Sequence, residues 1–112
     1  MNLQESIKKI IKEEIDFILK VRRKFSELDS FLSQTMKDDY KPETICRSYR
    51  SSQELFEHVA HSVIEQMYYA YFDEDVDDLS EEWEKMYYLM FEYIHNKYGN
   101  EIDQYYHTNC GD

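Results

Sequence analysis

The sequence predicts an all-α fold: a small helical bundle with one long N-terminal helix, two further main helices and short connecting helices. Only 2 glycines and 1 proline occur in 112 residues, which leaves little turn-forming material for a many-stranded fold. Apolar residues recur at spacings of three and four, the period of helices that are buried on one face. The hydrophobic content of 42% is enough for a modest core, so residues 1–112 are expected to form one domain.

The N-terminal helix is predicted over residues 2–36. Apolar residues recur there every seven positions, in two complementary series: Ile7, Ile11, Ile18, Val21, Phe25, Leu28 and Leu32. A helix of this length spans about 50 Å, which is long for a domain of this size. We therefore expect it either to break near residues 26–30 or to reach a partner, such as a second copy of the chain in a homodimer.

Capping residues mark the start of the next two helices. Pro42 follows a loop and suits the first position of a short helix over residues 43–49. Ser51 and Glu54 then have the Ser-x-x-Glu spacing of a capping box. This box predicts a long helix over residues 52–72.

The last main helix is predicted over residues 81–98. Ser80 is a suitable N-cap, and acidic residues in the first turn are favoured by the helix dipole. Gly99 is a suitable residue to end the helix. Residues 100–107 are expected to add a short final turn.

Negative charge is concentrated in the C-terminal half. Residues 1–50 carry 11 Lys and Arg against 9 Asp and Glu, whereas residues 51–112 carry 2 against 15, so the net charges are +2 and −13. The most biased stretch is DEDVDDLSEEWE at residues 73–84, which we call the acidic segment. Such a surface attracts cationic proteins and repels nucleic acid, so direct nucleic-acid binding is not expected.

The cysteines and the N-terminal segment both indicate a cytoplasmic protein. Cys46 and Cys110 lie 64 positions apart without CxxC or Cys–His spacing, which favours free thiols in a reducing compartment over a disulfide. The N-terminal segment has no uninterrupted apolar run, because charged residues break it. Neither a signal peptide nor a membrane span is therefore expected.

The acidic segment partly matches a calcium-binding loop. Four acids occupy the first, third, fifth and twelfth positions of a twelve-residue loop: Asp73, Asp75, Asp77 and Glu84. The sixth position, where the sharp turn requires glycine, is Asp78, and the chain contains no second loop to pair with it. We therefore expect no metal at this segment.

A second partial metal pattern lies on the predicted helices. His58 and His61 are three residues apart on one helix, and Glu92 and His95 have the Glu-x-x-His spacing on another. A helical di-metal site uses ligands at such spacings. In so acidic a chain the match is weakly specific, so no metal or cofactor is expected, and a metal-binding helical protein stays an alternative.

The sequence favours a binding function over catalysis, because it contains no nucleophile elbow, Gly-rich phosphate loop or metalloprotease signature. Carboxylates spaced along a helical surface can occupy the basic cleft of a nucleic-acid-binding protein in place of DNA phosphates. Tyrosines between the acids would add apolar anchors. The residues expected to contact such a partner are seven acids and three tyrosines: Asp73, Glu74, Asp75, Asp77, Asp78, Glu81, Glu82, Tyr68, Tyr69 and Tyr88.

Residues 52–84, SQELFEHVAHSVIEQMYYAYFDEDVDDLSEEWE, run from a helix through paired tyrosines into the acidic segment. In this layout and in composition the chain resembles the phage-encoded DNA-mimic antirestriction and anti-CRISPR proteins of the Ocr type. The resemblance implies an inhibitor that blocks the nucleic-acid-binding groove of a defence nuclease in the host cytoplasm. The near-neutral N-terminal half departs from that pattern. A helical interaction module that docks a basic partner unrelated to DNA is the alternative.

Overall fold

The computed structural model describes residues 3–72 and 81–111, which form helices and short turns without a strand. The helices are α1 Leu3–Arg22, α2 Phe25–Asp39, α3 Pro42–Ser48, α4 Ser52–Met67, which continues as a π-helix over Tyr68–Phe72, and α5 Glu81–Cys110. The all-α prediction is confirmed for this part of the chain. None of these described helices is both long and apolar enough to span a bilayer. The molecule measures 61 × 24 × 22 Å and is therefore an elongated rod.

Three helical arms lie side by side along the rod. The first arm, α1 with α2, runs parallel to α5, and α4 runs antiparallel to both. The contacts that fix these directions are Glu14–Lys85 and Asp29–Lys97 for the parallel pair, and Tyr68–Trp83 and Phe56–Phe91 for the antiparallel pair. The core between the arms consists of apolar side chains, among them Val21, Leu28, Leu55, Val59, Val63, Met67, Phe72, Met86, Met90 and Ile94. Burial of each such side chain contributes roughly 1.5–3 kcal/mol to the free energy of unfolding, relative to leaving it exposed.

The helix predicted over residues 2–36 is divided into two, and the break lies at Lys24. Neither Gly nor Pro causes the break. The Lys24 backbone, at φ −96° and ψ 2°, leaves the regular helix, and its N–H donates to the Val21 carbonyl at 3.0 Å. Directly after the break, Phe25 stacks on Tyr93 with ring centroids 4.1 Å apart. The break thus coincides with packing against α5. The apolar pattern continues through the break and therefore does not reveal it.

The predicted start of α4 is confirmed. The Ser51 hydroxyl accepts a hydrogen bond from the Glu54 N–H at 3.2 Å, which is the N-cap half of the capping box. In the usual capping box, the Glu54 carboxylate would accept from the N–H of the N-cap residue, Ser51. Here it accepts instead from the N–H of the preceding residue, Arg50, at 3.4 Å. Pro42 also opens α3 as predicted.

Gly99 does not end the last helix, contrary to the prediction. The helix continues to Cys110 and is followed by Gly111, whose φ of 72° lies in the left-handed region and whose N–H donates to the His107 carbonyl at 3.1 Å. Beyond Gly99, buried Ile102 and Tyr106 extend the apolar face of α5. Their burial outweighs the cost of about 1 kcal/mol for a glycine inside a helix.

The two cysteines form a disulfide, which corrects the prediction of free thiols. Cys46 in α3 is bonded to Cys110 at the end of α5, with Cα atoms 5.3 Å apart. Three tyrosine hydroxyls donate to backbone carbonyls near this end of the rod: Tyr105 to Tyr40 at 2.7 Å, Tyr106 to Tyr49 at 3.0 Å and Tyr40 to His58 at 3.2 Å. Disulfides persist in oxidising compartments, so the cysteines no longer support a cytoplasmic location.

Helix α1 exposes two large apolar side chains. Ile15 is 51% exposed and Leu19 is 42% exposed, one helical turn apart. A cleft of about 390 Å³ lies between α1 and α5, lined by residues that include Phe17, Ile18 and Tyr88. A homodimer through this helix stays a prediction, in which these side chains would lie at the interface. Sedimentation equilibrium over a range of protein concentrations measures the mass of the species in solution and so tests the homodimer.

Asp29 joins α2 to α5 through three hydrogen bonds. Its carboxylate accepts from the Tyr98 hydroxyl at 2.6 Å, from the Tyr93 hydroxyl at 2.9 Å and from Lys97 Nζ at 2.9 Å. Burial raises the pKa of Asp29, but these hydrogen bonds and the Lys97 charge outweigh burial and hold the pKa below its usual value. Burial and the same carboxylate raise the pKa of Tyr98 to about 12.

We expect Asp29→Ala to lower the free energy of unfolding by about 2–3 kcal/mol, because two tyrosine hydroxyls lose a charged acceptor. The stability due to Asp29 is fully present above its unfolded-state pKa and is lost as the pH falls through its lower folded-state pKa. The difference between wild type and variant should therefore shrink below about pH 4. Urea unfolding at pH 7 and pH 3 measures this. Asp16→Ala, at an exposed position of α1, is the control, and an equal loss in both variants would contradict the role of Asp29.

Candidate functional site

The predicted contact residues are only partly visible. Five predicted acids lie outside the described residues: Asp73, Glu74, Asp75, Asp77 and Asp78. The backbones of Glu81 and Glu82 are described, but their side chains are not. Of the three predicted tyrosines, Tyr69 is 68% exposed and Tyr88 is 72% exposed, so both are available to a partner. Tyr68 is only 8% exposed, so little of its side chain is accessible to a partner.

The π-helix over Tyr68–Phe72 contains both buried and exposed aromatic residues. Both end residues are buried, whereas Tyr69 points outward. Tyr68 instead packs edge-on against Trp83, with ring centroids 4.8 Å apart. π-Helical turns are rare and frequently lie at functional sites. This one immediately precedes the acidic segment.

A groove between α4 and α5, which we call the aromatic groove, extends along the rod from this point. Its floor consists of three residues of α5 and two of α4: Trp83, Tyr87, Phe91, Phe56 and His61. Their ring centroids are separated by 5.9 Å for Trp83–Tyr87, 6.1 Å for Tyr87–Phe91, 5.8 Å for His61–Tyr87 and 5.3 Å for Phe56–Phe91. A shallow cavity of about 330 Å³ opens in the groove, lined by His61, Trp83, Glu84, Tyr87 and Tyr88.

Carboxylates lie on both sides of the aromatic groove. Exposed Glu57 and Glu65 are two turns apart on α4, and Glu84 lines the cavity from α5. Glu65 Oε1 is 3.3 Å from His61 Nε2. Burial and the charges of Glu57 and Glu65 raise the pKa of Tyr87. The floor of the groove therefore lies in a negative potential.

The residues that line this cavity include no lysine or arginine. Residues 52–84 contain neither residue type. The two lysines of α5 face the first arm, where Lys85 Nζ lies 3.1 Å from Glu14 and Lys97 Nζ lies 2.9 Å from Asp29. Within the described part of the chain, the groove thus combines aromatic rings and carboxylates without a Lys or Arg of its own.

Sequence reasoning missed the aromatic groove, although a signal for it exists. Two series of residues at spacing four lie on facing helices: Glu57, His61 and Glu65 on α4 with Tyr69 in the π-helix that follows, and Trp83, Tyr87, Phe91 and His95 on α5. Spacing four places each series along one side of its helix. The antiparallel pairing of α4 and α5 then brings the two series together.

The helical metal pattern is not assembled in the described residues. Each histidine instead packs against an aromatic ring: His58 on Tyr49, His61 on Tyr87 and His95 on Phe56. Across residues 3–72 and 81–111, no group of three His, Cys, Asp or Glu side chains is placed to hold a metal ion. Most of the calcium-loop pattern lies outside these ranges.

A Ser–Asp–His chain links α4 to the end of α5. The Ser52 hydroxyl donates to the Asp103 carboxylate, which lies 3.3 Å from His107 Nε2. The carboxylate thus stands between the hydroxyl and the imidazole. Because a catalytic triad requires the imidazole next to the nucleophile, this order joins two helices and does not activate the serine.

No protein-family model, curated protein or solved structure matches this chain. The fold and the groove define an all-α protein with an acidic and aromatic surface. What this surface binds follows from its own geometry and charge.

Proposed function

We propose that the chain is a non-enzymatic, acidic DNA mimic that blocks the nucleic-acid-binding groove of a host defence nuclease, of the CRISPR or restriction type. The observation that carries the proposal is the aromatic groove, with carboxylates on both sides, next to the acidic segment. Helices α4 and α5 have net charges of −3 and −4. A basic cleft is the complementary surface.

The carboxylates beside the aromatic groove form one row on each helix. Glu57 and Glu65 are eight residues apart on α4, as are Glu84 and Glu92 on α5, so each pair spans about 12 Å along its helix. Phosphates of one DNA strand repeat about every 3.4 Å along the axis, so the protein offers a sparser row of charges. The aromatic rings between the rows supply contacts that salt does not screen.

Displacement of DNA is the decisive measurement. A fluorescent duplex bound to a purified restriction nuclease or CRISPR effector should be released by the protein, as followed by anisotropy. The affinity of the protein for the nuclease, measured directly without DNA, should weaken by more than about tenfold between 50 and 200 mM salt, because each released counterion contributes less free energy at high salt. The duplex alone should not bind, since both molecules are negative. A complex of protein, nuclease and DNA together would contradict mimicry.

Two alternatives predict different results. Docking to a basic partner unrelated to DNA would show the same salt dependence without DNA displacement. A metal-binding protein would show a rise in melting temperature with calcium that magnesium does not reproduce. Action in the cytoplasm is part of the proposal, and the Cys46–Cys110 disulfide is the observation that counts against it.

A further inference from the structure

We propose that the aromatic groove binds arginine side chains of the basic partner in preference to lysine, with the guanidinium over Trp83 and Tyr87 and between Glu65 and Glu84. This inference rests on the proposed function and identifies the chemical group that its surface selects. A planar guanidinium stacks on aromatic rings while its edge donates to carboxylates. A compact, strongly hydrated ammonium makes the stacking contact less well.

The shape of the groove suits one guanidinium. The rings of Trp83 and Tyr87 are inclined by 51°, so they form an open corner against which a flat group can lie. Tyr88 is highly exposed and lines the same cavity of about 330 Å³. The raised pKa of Tyr87 agrees with this geometry, because it has nearby carboxylates among its causes.

On the side of the first arm, the chain places its own cations over aromatic rings. Lys24 Nζ lies 4.4 Å from the centroid of the Tyr71 ring. Lys97 Nζ lies beside another tyrosine, where it donates to the Tyr93 hydroxyl at 3.0 Å and pairs with Asp29. The aromatic groove presents the same ring-and-carboxylate arrangement, and there the cation comes from the partner.

The only tryptophan, Trp83, makes the groove directly observable by fluorescence. Nona-arginine and nona-lysine peptides are titrated into the protein at physiological salt. The arginine peptide should bind about tenfold more tightly and change Trp83 emission to saturation.

Variants locate the binding. Glu84→Gln and Tyr88→Ala should each weaken binding of the arginine peptide by roughly threefold to tenfold. Glu84→Gln removes a charge that lines the cavity, and Tyr88→Ala removes an aromatic ring that lines it. Glu101→Gln changes the charge equally at an exposed position several turns further along α5 and should shift affinity by less than about twofold. The preference for arginine should persist in a variant carrying Asp75→Lys, Asp77→Lys and Asp78→Lys, since it originates in the groove.

Equal affinities for the two peptides, or equal effects of Glu84→Gln and Glu101→Gln, would overturn the inference. Loss of the preference in the charge-reversed variant would assign the preference to residues 75–78 and overturn the inference as well. DNA displacement without arginine preference rejects the groove assignment alone. Arginine preference without DNA displacement supports the groove and rejects mimicry alone.

Discussion

Under the proposed function, replacement of Asp75, Asp77 and Asp78 by lysine is expected to abolish inhibition of the target nuclease without unfolding the protein. Each exposed ion pair is worth roughly up to 1 kcal/mol, and reversal replaces attraction by repulsion. Three reversals should therefore weaken binding by about 3 kcal/mol or more, which is at least roughly 100-fold. Inhibition is measured by titration of nuclease activity, and the fold is checked by circular dichroism.

A matched variant separates position from net charge. Glu13→Lys, Asp16→Lys and Glu101→Lys together change the net charge by the same amount, at exposed positions outside the acidic segment. This variant should retain inhibition within about tenfold. Full inhibition by the variant reversed at residues 75, 77 and 78 would show that the acidic segment is not the contact. Equal losses in both variants would assign the effect to net charge.

Reduction of the Cys46–Cys110 disulfide is expected to lower the free energy of unfolding by about 4 kcal/mol, since the bond closes a loop across a separation of 64 residues. The melting temperature should fall by roughly 10–20 °C. Calorimetry with and without a reductant measures the change. A variant with both cysteines replaced by serine should match the reduced protein and should not respond to reductant. An unchanged melting temperature would contradict a stabilising role for the bond.

The same experiment bears on where the protein acts. After reduction, the hydroxyls of Tyr105 and Tyr106 still tie the end of α5 to the backbone on either side of α3. We therefore expect the reduced protein to remain helical at 25 °C. A reduced form that unfolds at 37 °C would exclude action in a reducing cytoplasm.

The parts of the fold that local signals encode could be predicted from the sequence. Ser51 and Pro42 mark the starts of α4 and α3 because caps act within one turn. The end of α5 depends on Ile102 and Tyr106 finding a distant core, which Gly99 does not reveal. The disulfide was missed for a related reason, because a separation of 64 positions does not reveal that Cys46 and Cys110 meet in the fold.

The candidate site was predictable in composition but not in arrangement. Charge counting identifies the acidic segment, and the paired tyrosines identify Tyr69 and Tyr88 as surface residues. The inward direction of Tyr68 continues the series Phe56, Ala60 and Ile64 at spacing four, whose members are all buried. The groove itself requires two helices in antiparallel contact, and such pairing is a property of the tertiary fold.

The placement of charge across the rod also has a kinetic consequence. Residues 3–39 contain eight Lys and Arg and eight Asp and Glu, whereas α4 and α5 carry −3 and −4. Because the helical arms lie side by side, this difference is an electric dipole directed across the long axis. A basic cleft would turn the approaching rod broadside, with α4 and α5 towards it, before any contact forms. The association rate should then carry most of the salt dependence, while the aromatic contacts set the rate of dissociation.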